Sequence, residues 1–483
     1  GSEMCIRDRY RLPNKKSLTI KMGPSKLFNI NRRRFLQGSL SSLVLSSFGV
    51  YGFDLVYPSK PHRVGLIGAG WYGKNDLYRL IQVTQIEVVA LCDVDQKILS
   101  DAAQQMQRRM QTSKPPRTYE SYRKMLAQEE LDIVLIGSPD HWHALQGIDA
   151  LKAGAHLYLQ KPISVDVLEG EALLAAAQKY NRVVQVALQR RSTPHLMRAK
   201  KDIVDKGLLG KVSHVEMCCY YHMRSQGNPP LEAIPNYFNY DLWTGPAPLR
   251  PYDGLPHRGW WRAFMEYGNG IVGDMCVHMF DTVRWMLDLK WPKQISSTGG
   301  IYVQKNGKSN ISDTQTIIFN YPELSCIWQH RTWGNPVDPE YPWAFKIYGE
   351  KGMLFGSVFQ FDFIPYDNDQ QTIHEDALYE REKYPEDLVE KDIELHAAPA
   401  TRLHMLDFLA SISSSSLPRA NLVEGHISSA SCILGNIAMD LKRPLVYDPT
   451  SRKVVQDPEA TKRLARDYRL GWEHPKNDLQ EGF

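Results

Sequence analysis

The chain has 483 residues, which is more than a single hydrophobic core usually supports, so two domains are expected. Residues 1–50 hold ten Lys/Arg and two Asp/Glu, and the rest of the chain holds 48 basic and 52 acidic residues, a net charge of −4. A mildly acidic body gives no electrostatic reason to expect nucleic acid as a partner.

The N-terminal segment has the features of an export signal. Residues 31–37 read Asn-Arg-Arg-Arg-Phe-Leu-Gln and resemble the twin-arginine consensus, with Arg32 and Arg33 as the pair. The run Gly38–Val50 is too short for a stable membrane span and fits the apolar part of a signal. We therefore predict residues 22–56 to be signal and linker, cleaved or retained, in a periplasmic or otherwise exported protein. Residues 1–21 are expected to be a non-native or disordered leader, and the alternative for the whole segment is a basic disordered arm.

A glycine-rich turn follows the first predicted strand of the body. The strand Arg63–Ile67 opens into Gly68-Ala69-Gly70-Trp71-Tyr72-Gly73, and a helical stretch, Lys74–Ile81, comes next. A second strand, Glu87–Cys92, ends at Asp93, twenty residues after Gly73. This order predicts a dinucleotide site, with the pyrophosphate at the helix N-terminus and the acid on the ribose hydroxyls. A carboxylate there repels a 2′-phosphate, so NAD is favoured over NADP; the alternative is a glycine turn in an unrelated fold.

Residues 132–188 continue to alternate between strands and helices, as a doubly wound parallel sheet requires. Predicted strands are Asp132–Gly137, His156–Leu159 and Val183–Leu188, separated by a helix ending at Ala153 and a helix over Asp166–Tyr180. Ligands in such sheets bind beyond the carboxyl ends of the strands. Polar residues follow all three strands, in the stretches Ser138-Pro139-Asp140-His141-Trp142-His143, Gln160-Lys161-Pro162 and Gln189-Arg190-Arg191.

The stretch Tyr220–Tyr267 is aromatic and rich in proline. Aromatic faces stacked on sugar C–H surfaces, beside hydrogen-bond donors, would suit a carbohydrate site; a surface loop or a subunit contact is the alternative. The residues behind the sugar interpretation are Trp243, Tyr252, His257, Arg258, Trp260, Trp261 and Arg262. Neither the acids and histidines of this region nor the seven scattered cysteines show metal-ligand spacing, so no metal is expected.

Several of these features occur together and in order over about residues 63–290. They are the glycine turn with Asp93, the Ser-Pro-Asp-x-x-His stretch, Lys161-Pro162, Gln189-Arg190-Arg191 with Gly207 and Gly210, and Gly268-Asn269-Gly270-x-x-x-Asp274-x-x-x-His278-x-x-Asp281. In this the chain resembles the Gfo/Idh/MocA family of glucose–fructose oxidoreductase, inositol dehydrogenase and the rhizopine-catabolism protein. The later Arg443-Pro444-Leu445-x-Tyr447-Asp448-Pro449 is similar to the C-terminal arm of a secreted bacterial branch.

The resemblance implies an α/β fold with an N-terminal Rossmann doubly wound parallel sheet and a C-terminal α+β domain with an open, mostly antiparallel sheet. We place the NAD-binding domain at 57–190, the substrate-binding and oligomerisation domain at 191–440, and the returning C-terminal arm at 441–483. The strand-like runs Val212–Tyr221, Thr314–Tyr321 and Ser325–Thr332 agree with the second sheet.

The resemblance also assigns roles to individual residues. Lys161 is the lysine of the family's Glu-Lys-Pro motif, near the nicotinamide and the reacting hydroxyl, although Gln160 replaces the glutamate here. Asp274 and His278 match the family's aspartate and histidine; on a helix their i, i+4 spacing would place them on one face. Histidine can take the hydroxyl proton, and a lysine ammonium can stabilise the alkoxide. A structural histidine is the alternative for His278.

The predicted catalytic residues are therefore Lys161, Asp274 and His278. Those predicted to bind the cofactor are Gly68, Gly70, Trp71, Tyr72, Gly73, Asp93, Ser138, Pro139, His141, His143, Lys161 and Gln189. Those predicted to bind the substrate are Lys161, Arg191, Trp243, His257, Arg258, Trp260, Trp261, Asp274 and His278.

These features predict an exported NAD(H)-dependent oxidoreductase that acts on a secondary hydroxyl of a sugar, polyol or glycoside. Twin-arginine transport moves folded proteins to a compartment with no obvious free NAD pool, so the cofactor is expected to be tightly bound. One alternative is a redox-neutral NAD-dependent glycosidase that works by transient oxidation, elimination and re-reduction; another is a non-catalytic NAD-binding scaffold. The expected partners are a small carbohydrate and further copies of the chain, as a dimer or tetramer through the open sheet, with no membrane span beyond the signal.

Overall fold

The computed structural model describes residues 60–221, 227–389 and 394–479. The predicted leader and the twin-arginine segment, up to residue 56, lie outside these described residues. Within the described ranges, no helix combines the length and the apolar character that crossing a bilayer would require.

The first half of the described chain forms a six-stranded parallel sheet in the order β3-β2-β1-β4-β5-β6. The strands are β1 (His62–Ile67), β2 (Ile86–Cys92), β3 (Arg117–Tyr119), β4 (Ile133–Ile136), β5 (His156–Leu159) and β6 (Val184–Val186). Its centre is apolar on both faces: all four residues of β4, Ile133–Ile136, are buried, and side chains alternate between the two faces along a strand. This order is that of a dinucleotide-binding sheet, which confirms the predicted fold of this half.

Helices cover both faces of this sheet. They are α1 (Trp71–Val83), α2 (Gln96–Met110), α3 (Tyr122–Gln128), α4 (His143–Lys152) and α5 (Val167–Tyr180). Two of them begin at aspartates whose carboxylates cap the first turn: Asp95 accepts from the amides of Lys97 and Ile98, and Asp166 accepts from that of Glu169. The five strands predicted here are present, with ends shifted by at most two residues. The sixth, β3, escaped prediction because it has three residues and no buried side chain.

The second half forms an eight-stranded sheet in the order β14-β13-β12-β11-β7-β10-β9-β8. Only the β7–β10 pair is parallel, which confirms the predicted mostly antiparallel sheet. Its strands are β7 (Val212–Cys219), β8 (Gln294–Gly300), β9 (Thr314–Tyr321), β10 (Leu324–Arg331), β11 (Trp343–Gly349), β12 (Gly352–Ser357), β13 (Gln360–Pro365) and β14 (Ile373–Asp376). Along β9, Gln315, Ile317 and Phe319 are buried while their neighbours are partly exposed, as expected of a sheet with one covered face.

The remaining helices pack between and around the two sheets. They are α6 (Pro194–Ala199), α7 (Tyr240–Thr244), α8 (Val277–Met286), α9 (Ala398–Ser414), α10 (Leu422–Leu441) and α11 (Pro458–Lys462). Helix α10 contacts β8 of the second sheet, α5 of the first and α8. Buried Arg284 of α8 donates to Ser428 and Glu424 of α10, which ties the two helices together. A short hairpin, β15 (Tyr447–Asp448) and β16 (Lys453–Val454), precedes α11.

Two long segments with little regular secondary structure pack onto the body: the aromatic segment within Tyr220–Tyr267, and the C-terminal segment from residue 441 onward. In the aromatic segment, the amide of Gln96 at the start of α2 donates to the Tyr237 carbonyl, and that of Asn239 donates to the Val94 carbonyl. In the C-terminal segment, the Arg466 guanidinium donates to the carbonyls of Met265 and Gly268. The aromatic segment is thus held beside the end of β2, and the C-terminal segment behind the turn that leads to Asp274.

Candidate active site

The glycine turn between β1 and α1 leaves room for a phosphate group. Gly68 has φ +85°, and a Cβ on Gly73 would lie 2.0 Å from the Gly68 carbonyl oxygen. A Cβ on Gly70, in contrast, would meet nothing within 4 Å. Gly70 is the N-cap of α1, and no side chain caps this helix. Open space above uncapped helix amides fits the pyrophosphate of a dinucleotide.

Asp93 lies at the end of β2 beside this turn. Its carboxylate accepts from the amide of Ala69 at 2.9 Å and from that of Asp95 at 3.0 Å. Burial raises the pKa of Asp93 to about 6, so the group is still largely ionised at neutral pH. A fixed carboxylate here fits the predicted hydrogen bonds to a ribose, and it would repel a phosphate on the 2′ oxygen.

Lys161, directly after β5, forms a buried ion pair with Asp274. Its Nζ donates to Oδ1 of Asp274 at 2.6 Å and to the Asp274 carbonyl oxygen at 2.8 Å. The Arg262 Nε lies 3.1 Å from the same Oδ1. Burial alone would raise the pKa of Asp274, but Arg262 and Lys161 hold it below its usual value. Burial lowers the pKa of Lys161 even though Asp274 opposes the shift.

The structure changes the expected relation between Asp274 and His278. Asp274 lies in a π-helical turn, Val272–Cys276, that runs into α8, so the two residues are not joined by regular α-helical geometry. Among the described residues, the hydrogen bond of the Asp274 carboxylate is to Lys161, and none links it to His278. The aspartate therefore positions the lysine rather than the histidine.

His278 is buried at the start of α8, next to the indole of Trp343. The ring centroids are 5.6 Å apart, and within the described ranges Nδ1 of His278 has no hydrogen-bond partner. Burial lowers the pKa of His278 well below its usual value, and the cations Lys161, Arg190 and Arg262 add to the shift. A neutral imidazole with an unused nitrogen can accept a proton.

Gln160 has a specific partner that accounts for the missing glutamate. Its amide nitrogen donates to Oδ2 of Asp76, on α1, at 2.6 Å. Burial raises the pKa of Asp76 to about 7, although Gln160 counters the shift. A glutamate at position 160 would bring a second carboxylate against Asp76, which two buried acids could tolerate only by sharing a proton. The amide thus holds the chain before Lys161 without adding charge.

Two histidines predicted to bind the cofactor have other contacts. Nε2 of His141 is 3.0 Å from the Trp243 carbonyl oxygen, and the ring packs against Tyr267. His143 is fully buried, with its ring nitrogens 2.6 Å and 2.8 Å from the carbonyl oxygens of Pro162 and Ser138. Both ring nitrogens of His143 are therefore engaged, whereas Nδ1 of His141 has no hydrogen-bond partner among the described residues. His143 ties the end of β4 to the loop that carries Lys161, which is a positioning role.

The other predicted cofactor residues surround the glycine turn. The Ser138 hydroxyl donates to Gln146, while its amide lies where a Cβ on Gly68 would clash. Gln189 donates to the Tyr72 hydroxyl at 2.9 Å, which connects the end of β6 to the first turn of α1. Trp71 packs edge-on against Tyr72, and Pro139 precedes a short 3₁₀ turn.

Most of the predicted sugar-binding residues of the aromatic segment belong to a packed cluster. His257 stacks on Phe238 with centroids 3.6 Å apart and lies 2.8 Å from the Asp95 carboxylate. Trp243 is buried in the same cluster, and Trp260 packs at its edge. The structural alternative for this segment, a loop pinned by its own aromatics, therefore fits His257 and Trp243. The Arg258 side chain lies outside what the structure describes.

Of the predicted substrate residues, Trp261 lies beside the Lys161 site, whereas the Arg191 side chain is bound within the protein. Arg262 stacks on the Trp261 ring at 3.9 Å while its guanidinium reaches Asp274 and Asp140, so Trp261 borders the Lys161 site. Arg191 instead forms a bidentate ion pair with Asp281, at 2.8 Å for each bond, and its third nitrogen donates to the Arg419 carbonyl. These contacts commit its guanidinium to the protein, and its predicted role in substrate binding stays a prediction.

Three residues that the sequence did not single out for roles belong to the site, together with Arg262 of the aromatic segment. The three are Asp140, Arg190 and Glu394. Burial raises the pKa of Asp140 to about 7, with Arg262 and Lys161 opposing. Burial also raises the pKa of Glu394, although the charges of Arg190 and Lys161 act against it. Asp140 and Arg190 lie inside the polar stretches noted in the sequence, whereas no local pattern marks Glu394.

One further polar cluster, Asp166, Glu169 and His474, has the spacing of a metal site. Its ligand atoms are already used: Asp166 accepts from His474 Nε2 at 2.8 Å, and Glu169 accepts from the Tyr468 hydroxyl at 2.5 Å. The second Glu169 oxygen accepts from the Val165 amide at 2.9 Å. These contacts hold the C-terminal segment against the start of α5.

Comparison with known families gives matches over both halves of the described chain. Residues 62–188 match a family described as an oxidoreductase family with an NAD-binding Rossmann fold, and residues 195–360 match its C-terminal alpha/beta domain. An alpha-N-acetylgalactosaminidase of Shewanella oneidensis is 27% identical over 224 residues, which cover 41% of this chain and 48% of that protein. The chain thus spans about half the length of the curated relatives it matches.

Solved structures match the fold over most of the chain. An oxidoreductase from Agrobacterium radiobacter, in complex with NAD+, L-tartaric acid and magnesium, has a TM-score of 0.61 and 15% identity, covering 80% of this chain and 98% of that one. An aldose-aldose oxidoreductase from Caulobacter crescentus, complexed with glycerol, has a TM-score of 0.59 and 15% identity, covering 80% and 100%.

Two of the three glycines of the turn, Gly70 and Gly73, allow a matched test of the cofactor site. Gly70→Ala places a methyl group in the open space above the helix amides, so NAD affinity should fall by about tenfold or more while the thermal midpoint changes little. Gly73→Ala forces a methyl group against the Gly68 carbonyl, so the free energy of unfolding should fall by about 1–3 kcal/mol. Calorimetric NAD titration and thermal melting of both variants check this; unchanged NAD affinity in Gly70→Ala would remove the turn from the binding site.

Proposed function

Because this chain belongs to the Gfo/Idh/MocA oxidoreductase family, whose NAD-binding and C-terminal domains it matches, we propose that it oxidises a secondary hydroxyl of a sugar, polyol or glycoside. The observation that carries the proposal is the buried Lys161–Asp274 ion pair, formed at the carboxyl end of the NAD-binding sheet. Alcohol oxidation needs a cation to stabilise the alkoxide and a base to accept the hydroxyl proton. A lysine held by an aspartate and the neutral His278 nearby can supply these two functions.

Oxidation of the hydroxyl requires transfer of a hydride and removal of a proton, and the residues around Lys161 have separate roles in these two steps. NAD, when bound, supplies the hydride acceptor. The Lys161 ammonium stabilises negative charge on the substrate oxygen as its proton leaves, and Asp274 keeps that ammonium in place. His278, which is uncharged near neutral pH, takes up the proton. Burial of all three side chains limits competition from water.

A redox-neutral glycosidase is the second candidate, and the Shewanella relative named alpha-N-acetylgalactosaminidase favours it. In that reaction a carbon of the sugar is oxidised, which acidifies the neighbouring C–H. A base removes this proton, the aglycone leaves by elimination, water adds, and the hydride returns to the same sugar. Asp140, with its pKa raised to about 7, supports this candidate because it can hold a proton for the departing oxygen.

The N-terminal pattern supports export of the folded, cofactor-loaded protein. Since the twin-arginine route carries folded proteins, NAD would be bound before transport and retained by the protein outside the cytoplasm. A retained cofactor must be re-oxidised in place, either by a second sugar or by the same one. The proposed homo-oligomer through the open sheet is a further expectation from family resemblance.

The purified protein, assayed without added NAD, separates the two candidates. With a panel of sugars and aryl glycosides, the oxidoreductase should give reduced nicotinamide at one equivalent, with turnover only when a second sugar accepts the hydride. The glycosidase should release aglycone continuously while the cofactor absorbance stays near its starting value. Reduced-nicotinamide absorbance and released aglycone are recorded in the same cuvette.

Lys161→Ala should lower turnover in either case by about a hundredfold or more, because the alkoxide loses its counter-charge. Lys346→Ala is the matched control, since Lys346 forms a comparable 2.9 Å ion pair with Asp338 in the second sheet. Normal turnover by Lys161→Ala, or an equal loss in both variants, would contradict the proposal.

Export is tested by exchanging the arginine pair. Replacing Arg32 and Arg33 together by lysine should retain the protein in the cytoplasm of a bacterial host with a twin-arginine translocase. Replacing Arg7 and Arg9 by lysine is the control and should leave export unchanged. Cell fractionation and immunoblotting give the distribution; normal export of the Arg32/Arg33 variant would show that another signal is used.

A further inference from the structure

Arg190 differs from both of its chain neighbours, because its side chain makes no ion pair or hydrogen bond with another described residue. It lies in the 3₁₀ turn Gln189–Ser192, where Gln189 donates to Tyr72 and Arg191 is paired with Asp281. The Arg190 side chain is nearly enclosed, with 3% of the residue exposed. Its Nε and Nη1 are nevertheless buried without a hydrogen-bond partner in the part of the chain that the structure describes.

A buried guanidinium without an anion is costly. Enclosing an unpaired charge disfavours the folded state by several kcal/mol, and arginine cannot escape the cost by losing its proton. A buried unpaired guanidinium is therefore expected where a bound ligand supplies the missing negative charge. By comparison, Arg79, Arg191 and Arg284 are equally buried, and each of them contacts a carboxylate within 3 Å. Arg190 is thus the exception among these buried arginines.

The surroundings of Arg190 connect it to the site of Lys161. Its Cζ lies 5.4 Å from the centroid of the Trp343 ring, and the His278 ring lies 5.6 Å from that same indole. The Trp343 indole nitrogen donates to the Met275 carbonyl in the π-helical turn of Asp274, which fixes the ring. Arg190, Trp343 and His278 therefore form one continuous wall beside the Lys161–Asp274 pair.

The charges along this wall leave an excess of positive charge. Lys161 and Arg262 share the carboxylate of Asp274, and Arg262 also lies 3.4 Å from Asp140, whose pKa burial raises to about 7. Glu394 is the acid whose charge bears on Arg190; burial raises its pKa, and the charges of Arg190 and Lys161 oppose that shift. The charge of Arg190 also shifts the pKa of four other titratable groups, and none of them supplies a negative charge near neutral pH. These groups are Tyr72, His195, His278 and His396.

We propose that Arg190 receives a carboxylate of the substrate, so that the sugar oxidised at Lys161 is a hexuronic acid or a glycoside of one. The proposal rests on the function proposed above and names its substrate class. A planar guanidinium matches a carboxylate through paired N–H groups. The adjoining Trp343 face can pack on the C–H surface of a sugar ring. The neutral sugar with a hydroxymethyl group in place of the carboxylate would leave the charge of Arg190 unmatched.

Binding to the NAD-loaded protein tests the proposal without requiring turnover. D-glucuronate is compared with D-glucose, and D-galacturonate with D-galactose, by calorimetric titration; each pair differs in the carboxylate alone. We expect the uronate to bind at least about tenfold more tightly in the matching pair, because charge-assisted bonds to a buried arginine form. Arg190→Gln should abolish this ratio, and Arg190→Lys should keep part of it. Arg123→Gln, which removes an arginine with 57% of its side chain exposed, is the control and should keep the full ratio.

The outcomes separate failure of this inference from failure of the proposed function. Equal binding of uronate and neutral sugar, or a uronate preference that survives Arg190→Gln, would overturn the carboxylate site. Oxidation of neutral sugars without any uronate preference would leave the oxidoreductase in place and refute the substrate class. A uronate preference that depends on Arg190, without oxidation of any sugar, would refute the proposed reaction and keep the anion site. Thermal melting of each variant, with and without NAD, confirms that the comparison is made on folded protein.

Discussion

The ion pair of Lys161 and Asp274 is the interaction on which the arrangement of the site depends. Taking two charges out of water costs several kcal/mol per ion, so the pair is tolerable only with close, complete contacts. The contacts are close: Nζ donates to both the carboxylate and the carbonyl of Asp274, and Arg262 adds a second cation. One partner follows β5 of the parallel sheet, and the other lies in the π-helical turn before α8. The pair therefore forms only when the two halves of the protein are packed together.

The neighbouring polar groups keep this pair in place with little added charge. Gln160 takes the place of an acid and donates to Asp76, so the residue before Lys161 is fixed by a neutral amide. His143 holds the following Pro162 carbonyl, and His278 is kept neutral by burial and by the cations around it. Arg190 is different, because no described residue forms an ion pair with its guanidinium. That difference is what makes it informative about the ligand.

The sequence was sufficient for the parts of the structure that depend on local patterns. The strand, glycine turn and acid around Gly68 and Asp93 were predicted because a dinucleotide turn constrains its backbone residue by residue. Tertiary packing decided the rest. His257 looked like a sugar ligand by composition, but it stacks on Phe238 and contacts Asp95. The i, i+4 spacing predicted Asp274 and His278 on one face of a helix, but Asp274 lies in a π-helical turn and its carboxylate accepts from Lys161. Glu394 reaches the site from a loop more than 100 residues after Asp274, with no motif to mark it.

The pH dependence of hydride transfer tests the role of the ion pair most directly. Burial lowers the pKa of Lys161 and Asp274 raises it, so Asp274→Asn should lower the pKa of Lys161 further. The measurement is the rate of reduction of bound NAD in a single turnover, recorded against pH for the wild type and for Asp274→Asn. The account predicts that the alkaline limb of the profile, where the ammonium loses its proton, moves to lower pH in the variant. An alkaline limb that stays in place, or that moves to higher pH, would show that Asp274 does not hold the charge of Lys161 during the reaction.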